Sequence, residues 1–128
     1  MPQALADAIA KAPDSAKADD ACFSRATYKL IASGSGSLDA AARLAAAQGY
    51  DVLNLGDRIE GEARDVACAH AQLALAAQAE GRKLAILSGG EVAVTFASLP
   101  SGQGGPNQEY ALALAIALNG ASDIAALA

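Results

Sequence analysis

The sequence has few of the residues that most often carry metal or nucleophilic chemistry. Its 128 residues include one histidine, two cysteines and no tryptophan. With His70 as the only imidazole, we expect neither a local zinc site nor a Ser-His-Asp triad, and we predict no bound metal. Cys22 and Cys68 lie far apart and match no disulfide or metal-ligand spacing. They are therefore predicted to be reduced thiols of a cytoplasmic protein.

Charged residues are also scarce, at 18% of the chain, and the net charge is −5. A nucleic-acid-binding protein needs a basic surface to displace counterions from phosphates, so no nucleic-acid partner is expected. No apolar run reaches the roughly 18 residues that a membrane span requires. The N-terminus has no basic segment followed by an apolar one. The sequence thus predicts no membrane association.

What the chain does contain is small apolar residues. Hydrophobic residues make up 53% of it, and about a quarter of all residues are alanine, far above ordinary usage. Alanine favours helices but fills little volume, so the backbones must approach closely. The composition excludes a disordered chain and predicts one compact domain with a tight core.

Breaks in the pattern divide the chain into an N-terminal segment, residues 1–27, and a domain, residues 28–128. The first contains a helix over 2–12 and an exposed linker over 13–20. The domain begins with a strand over 28–33, and Ser37 is predicted to be the N-cap of the helix that follows.

The remaining elements alternate between strand and helix, with helices stopped by glycine. They are a strand at 51–55, a charged loop at 56–62, a helix at 62–80, strands at 83–90 and 91–97, a glycine-rich loop at 99–106, a buried helix at 107–118 and a strand at 122–128. Pro106 fits the first position of the last helix, and Asn119-Gly120 fits its end. Strand 91–97 alternates polar and apolar residues, so we expect it to be antiparallel or at an edge. This order predicts a three-layer α/β/α fold with a mostly parallel, mixed sheet and Rossmann-like βα units. Because the chain ends within an apolar run, we expect the domain to be truncated at its C-terminus.

Two glycine-rich stretches are the candidate ligand site. Glycine after a buried strand lets a ligand approach the backbone, and a glycine loop that leads into a helix presents free N–H groups to an anion. The candidate binding residues of the two stretches are Ser88, Gly89, Gly90 and Glu91, and Gly104, Gly105, Asn107, Gln108 and Glu109. Neither stretch has the lysine and Ser/Thr of a P-loop, so two tight turns and an ordinary helix start remain the alternative.

A charged segment, residues 57–65, follows the strand at 51–55. Loops at this edge of a parallel sheet often bind ligands, and Arg64 is the candidate there. A solvated loop with local ion pairs is the alternative. His70 is predicted to be a buried structural residue. The Gly34–Ser37 turn lacks the third glycine of a dinucleotide-binding fingerprint.

Several of these motifs together resemble a known family. SGGE at 88–91, GGPNQEYALALA at 104–115 and GEAR at 61–64 resemble the leucine-rich C-terminal (MOFRL) domain of class II glycerate kinases, which are also named hydroxypyruvate reductases of tartrate utilisation. The resemblance covers roughly residues 28–128. It departs at Gln103, where members have a basic residue, and at the Gly-Ser run 34–37, where members have asparagine. Members also continue into an acidic, glycine-containing loop.

The resemblance implies an ATP- and Mg²⁺-dependent kinase that phosphorylates D-glycerate to 2-phosphoglycerate. It implies a small-molecule anion, glycerate or a nucleotide phosphate, as the ligand, and it places Arg64 in the GEAR motif. The chain is expected to be an inactive fragment of such a protein, whose catalytic residues the sequence does not identify. An NAD(P)H-dependent hydroxypyruvate reductase and a non-catalytic binding or oligomerisation domain remain the alternatives.

An apolar C-terminal segment also predicts self-association, because an uncovered strand edge or helix face recruits a partner. We expect a homo-oligomer. Sedimentation velocity at tens of micromolar protein measures this directly, and a single monomeric species would contradict it.

Overall fold

The computed structural model describes residues 1–96 and 102–128, which form two compact units, residues 1–31 and 32–128. Residues 97–101, which hold the end of the predicted strand 91–97 and the start of the predicted loop 99–106, lie outside the described residues. The first unit contains helix α1, Gln3–Lys11, and a short 3-10 helix, Ala21–Phe23. Helix α1 agrees with the predicted helix over 2–12 and has no buried residue.

The described residues of the second unit form three helices and four short strands. They are α2 (Gly34–Ala47), β1 (Asp51–Asn54), β2 (Ile59–Glu62), α3 (Ala63–Ala79), β3 (Leu84–Leu87), β4 (Gly90–Ala93) and α4 (Pro106–Leu118). Strand β1 pairs in parallel with β3, and β2 pairs in parallel with β4. Parallel strands connected through helices confirm the α/β class.

Three backbone hydrogen bonds join the two strand pairs into one bent ladder. The Leu55 amide donates to the Leu87 carbonyl at 2.8 Å, the Gly89 amide to the Gly56 carbonyl at 2.8 Å, and the Ile59 amide to the Gly89 carbonyl at 3.0 Å. Between the two registers, residues 55–58 lie opposite only residues 88 and 89. The longer side therefore bulges, and the ladder bends where β3 ends.

Gly90 allows the two chains to cross closely at this bend. Its φ is +143°, and a Cβ atom at this position would collide with the backbone nitrogen and carbonyl oxygen of Ile59. Only glycine satisfies both the backbone conformation and the space. Strand β2 can pair with β4 because residue 90 carries no side chain.

Alanines make the buried contact between α3 and α4. Ala67 and Ala71 are 0% and 1% exposed, and they pack with Leu114 of α4. Their spacing of four residues forms a row of small side chains along α3, which lets the α4 backbone approach closely. The tight, alanine-lined core that the composition predicts is present here.

Helix α4 is only partly buried, which differs from the buried helix that its composition predicts. Leu114 is 6% exposed, whereas Leu112 and Ile116 are 64% and 69% exposed. The reason is that one face of α4 packs on α3, while the opposite face has no neighbouring element among the described residues.

None of the helices within 1–96 and 102–128 is both long and apolar enough to cross a membrane.

Three predictions about local structure are wrong. No strand forms at 28–33 or at 122–128. Tyr28 and Leu127, for example, are 87% and 99% exposed, and a strand needs a neighbour to pair with. The predicted loop 56–62 contains β2. Strand β4, which the sequence predicts to be antiparallel or at an edge, pairs in parallel with β2 and lies at the edge of their two-stranded sheet.

The helix predicted to start after Ser37 begins one turn earlier, because Ser33 is its N-cap. The Ser33 hydroxyl accepts a hydrogen bond from the Gly36 amide at 3.1 Å. The Ser37 hydroxyl instead donates to the Ser33 carbonyl from within the helix. Several serines in one glycine-rich run made the choice of cap ambiguous from sequence.

The bend of the ladder generates a stability prediction. We expect Gly90→Ala to lower the free energy of unfolding by about 2 kcal/mol or more, because the new methyl group overpacks the Ile59 backbone and the residue is held at positive φ. Gly102→Ala is the matched control, since a Cβ there meets nothing within 4 Å. Urea denaturation of both variants measures the difference, and equal midpoints would contradict the role assigned to Gly90.

Candidate functional site

The two predicted glycine-rich stretches meet at one cavity of about 300 Å³. Ser88, Gly89 and Gly90 line it from the end of β3, and Asn107 lines it from the first turn of α4. His70 of α3 and Tyr110 of α4 supply the other polar groups. The structure thus brings together segments 17 or more residues apart, while their role as an anion site stays a prediction.

The turn after β3 is held by the ladder itself. The Gly89 amide and carbonyl are both engaged, with Gly56 and with Ile59. The Gly89 N–H group is therefore not available to a ligand in this arrangement. On this side of the cavity, the Ser88 hydroxyl is the polar side chain at the carboxyl end of β3.

Few backbone N–H groups in the first turn of α4 are free to bind a ligand. Pro106 has no N–H, and the Gln108 and Glu109 amides donate to the Gly105 carbonyl at 3.0 and 3.1 Å. Among the described contacts, the Asn107 amide is the first-turn donor that remains. The helix dipole adds partial positive charge at the same place.

Gly104 and Gly105 lead into this helix but do not line the cavity. Gly104 has a φ of +149°, and a Cβ there would lie 2.5 Å from Oε1 of Gln108. Gly105 is the N-cap residue, in an extended conformation, and has open space around it. Gly104 is thus favoured by its positive φ, whereas the flexible Gln108 side chain could move away from a Cβ atom.

Two further candidates, Arg64 and Glu109, bind each other. Arg64 Nη2 lies 2.8 Å from Glu109 Oε1, and Arg64 Nε donates to the same oxygen at 3.0 Å. The pair joins the first turn of α3 to the first turn of α4. Because the arginine offsets the glutamate charge, Glu109 repels an anion at the start of α4 less than a lone carboxylate would.

Glu91 lies apart from the other candidates. It is on β4, where its register partner is Glu60 of β2, and it is exposed. It does not line the cavity. Two adjacent like charges are tolerated here because both are solvated. The structure therefore separates Glu91 from the SGG turn that precedes it.

Glu62 is a structural residue that the sequence reading treated only as a helix start. Its carboxylate accepts hydrogen bonds from the hydroxyl of Thr95 and from the Thr95 amide, the latter at 3.1 Å. These bonds lower the pKa of Glu62 below its usual 4.5. Glu62 thereby ties the end of β2 to the chain beyond β4.

His70 and Tyr110 form the most buried polar contact of the cavity. His70 is 8% exposed, as its predicted structural role requires, and its Nδ1 lies 2.7 Å from the Tyr110 hydroxyl. The rings meet edge to face at 5.7 Å. Burial lowers the pKa of His70 below 6.5 and raises that of Tyr110 above 10.0. Sequence reasoning missed Tyr110, whose only signal is a phenol directly before the aliphatic run 111–118.

The carboxylate of Asp57 lies beside the glycine-rich start of α2. A methyl group at Gly34 would lie 3.2 Å from Oδ2 of Asp57. The Asp57 side chain therefore lies against the positive end of α2. A dinucleotide pyrophosphate would need that position.

Among residues 1–96 and 102–128, no three His, Cys, Asp or Glu side chains are grouped to hold a metal ion.

Comparison with known proteins gives the family context. Residues 84–128 match the MOFRL family. Two curated proteins of Agrobacterium vitis, each named "Putative hydroxypyruvate reductase", are 46% identical over 103 residues and 45% identical over 104 residues. These alignments cover 77% and 78% of this chain but 27% and 24% of the relatives. The chain thus spans about a quarter of their length.

Solved structures agree with these matches. A glycerate kinase from Thermotoga maritima superposes with a TM-score of 0.65 and 31% identity, over 73% of this chain and 23% of that one. A protein of Pyrococcus horikoshii superposes with a TM-score of 0.63 and 34% identity, over 71% of this chain and 22% of that one. The resemblance inferred from the SGGE, GEAR and GGPNQE motifs is confirmed.

The buried His70 generates a prediction about pH. Because its pKa is lower in the folded chain than the ordinary 6.5, the unfolded chain binds the proton more readily. Stability is therefore fully present above pH 6.5 and falls as the pH drops through that value. Urea unfolding at pH 7.5 and 5.5 measures the change.

His70→Gln is the control for this pH effect, since glutamine does not titrate but can still bond to Tyr110. We expect the variant to lose most of the difference between pH 7.5 and 5.5. The stabilisation that Glu62 provides does not affect this comparison, because it is lost only below about pH 4.5. An equal difference in wild type and variant would show that His70 is not its source.

Proposed function

We propose, from the membership of residues 84–128 in the MOFRL family, that this chain forms the anion-binding part of a glycerate 2-kinase-like protein. The whole protein would transfer the γ-phosphoryl group of ATP to D-glycerate. The observation that carries the proposal is the single cavity where the Ser88–Gly90 turn meets the start of α4. These two parts of its lining come from motifs that resemble the family's.

The donors of the cavity suit one anionic group. On one side the Ser88 hydroxyl offers an O–H, and on the other the Asn107 amide and side chain offer N–H groups beside the positive end of α4. About 300 Å³ is at the lower limit of small-molecule sites, so a small organic acid or one phosphate group fits better than a whole nucleotide.

The described residues offer weak rather than tight anion binding. No lysine or arginine among them lines the cavity. The helix terminus contributes about 0.3–1 kcal/mol per charge at exposed sites. The Arg64–Glu109 pair keeps the surroundings of the helix start close to neutral. Binding by this chain alone is thus expected in the millimolar range.

ATP and Mg²⁺ enter the proposal through the family resemblance, and the residues fit them only in part. Mg²⁺ typically takes one or two carboxylates together with substrate phosphates, where it bridges and neutralises phosphate oxygens. Within the described ranges no preformed carboxylate group of three exists. This chain's own contribution is therefore to hold an anionic oxygen at Ser88 and Asn107.

A hydroxypyruvate reductase is the second candidate, favoured by the names of the two Agrobacterium relatives. Such an enzyme also binds a small 2-hydroxy or 2-keto acid, so the anion site would serve it equally. The nicotinamide cofactor is the difference. The start of α2, where a dinucleotide site would be expected, already faces Asp57.

The anion proposal predicts chemical-shift changes in ¹H–¹⁵N spectra of the full chain titrated with D-glycerate and with inorganic phosphate. The amides of Gly104, Gly105, Asn107, Gln108 and Ser88 should move together with one half-saturation concentration. Unmoved amides up to high millimolar ligand would show that the loop is only a turn. Glycerol, which has no charge, serves as the ligand control.

Two matched valine variants test whether the amide shift changes depend on the loop before α4. Gly104→Val should abolish the response, because the branched side chain displaces Gln108 and disfavours the positive φ of this residue. At Gly102 a Cβ meets none of the described residues within 4 Å, so Gly102→Val should retain the shift response.

Adding Mg-ATP or NADH separates the kinase from the reductase. Shifts at Ser88–Gly90 with Mg-ATP favour the kinase, and shifts at Gly34–Ser37 with NADH favour the reductase.

A further inference from the structure

The His70 ring has one nitrogen that the fold does not use. The described contacts engage only Nδ1, with the Tyr110 hydroxyl. No fully buried side-chain nitrogen or oxygen among the described residues lacks a partner, so Nε2 is not fully buried. The residue as a whole is nevertheless 8% exposed.

The ring lies where two cavities meet. His70, Ser88 and Tyr110 all line the 300 Å³ cavity of the candidate site, and all three also line a larger one of about 860 Å³ beside β3. The larger cavity is walled mainly by aliphatic side chains, such as those of Leu84 and Leu114. Its lining also includes charged side chains, among them Lys83 and Asp123. In the smaller cavity, the polar side chains that line the wall together with the His70 ring are those of Ser88, Asn107 and Tyr110.

We propose that Nε2–H of His70, held in this tautomer by the Tyr110 hydroxyl at Nδ1, donates a hydrogen bond to the carboxylate or phosphate oxygen of the ligand. This inference rests on the proposed anion site and adds its third donor. His70 then contacts the ligand, and Tyr110 is a positioning residue that acts through the ring.

The chemistry of the pair supports this assignment. A neutral imidazole has one donor and one acceptor nitrogen. If the Tyr110 hydroxyl donates to Nδ1, the ring proton must be on Nε2, where it is presented to the cavity. Burial disfavours the imidazolium form, which keeps the ring neutral at pH 7. A neutral donor selects a ligand oxygen without adding a buried charge.

Because the chain has a single histidine, its imidazole signals need no assignment by mutation. A two-bond ¹H–¹⁵N spectrum of the free protein at pH 7.5 should show the proton on Nε2. In Tyr110→Phe we expect a mixture of the two tautomers, which a merely structural loss of packing would not produce. The proton on Nδ1 in the wild type would overturn the proposal.

Titration with D-glycerate and with inorganic phosphate then tests the contact, with glycerol as the neutral probe. The Nε2 signal should move at the same half-saturation as the amides of Ser88 and Asn107. His70→Leu, which has no donor to offer a ligand, should weaken binding about tenfold or more, as loss of a hydrogen bond to a charged group does.

The possible results separate this inference from the proposed function. Amide shifts with an unmoved imidazole overturn the role of His70 and leave the anion site standing. If neither set of signals moves, both fail. An equal imidazole response to glycerol would overturn the claim that the ring binds an anion. Response to only one of the two anions identifies which oxygen group the cavity takes.

Discussion

The second unit is organised around a close backbone crossing, at which Gly90 lies against Ile59. Two parallel strand pairs become one ladder only because no side chain separates them there. The crossing sets the direction of the chain as it leaves β3, and it fixes the Gly89 amide and carbonyl within the ladder. Ser88 is thereby presented at the carboxyl end of the strand pair. The position of the candidate site is a consequence of that backbone approach.

Electrostatics at the site depend on neighbouring helix ends rather than on free cations. Helices α3 and α4 begin side by side, and Arg64 and Glu109 neutralise each other across that junction. The remaining positive potential comes from backbone dipoles. The buried pair His70–Tyr110 adds hydrogen-bonding capacity without charge. For the proposed oxygen anion, such an arrangement would supply hydrogen bonds more than net charge.

Much of this arrangement follows from local sequence patterns. Glycine stops, proline at the first position of α4 and the Asn119–Gly120 end signal identify the helices, and the family motifs identify the two walls of the cavity. Strands are less predictable, since pairing depends on a distant neighbour. Ile59–Glu62 reads as a polar loop, yet it pairs because β4 lies beside it.

The same dependence on distant partners explains what sequence reasoning missed in the site. The Arg64–Glu109 and His70–Tyr110 contacts each join α3 to α4 across 40 or more residues. Nothing within either helix indicates the other. His70 could be predicted as buried from its helical face, but its unused nitrogen is visible only once Tyr110 is in place.

The alanine row of α3 has a consequence for how the two helices assemble. Burying an alanine fixes no side-chain rotamer, so the contact of Ala67 and Ala71 with α4 forms without loss of side-chain entropy. Its specificity resides in the fit of backbone to backbone instead of in interlocking side chains. Such an interface tolerates little added side-chain volume, and an alanine side chain has only one carbon atom that a substitution could remove. Sequence drift in this contact is therefore constrained in one direction, toward residues no larger than alanine.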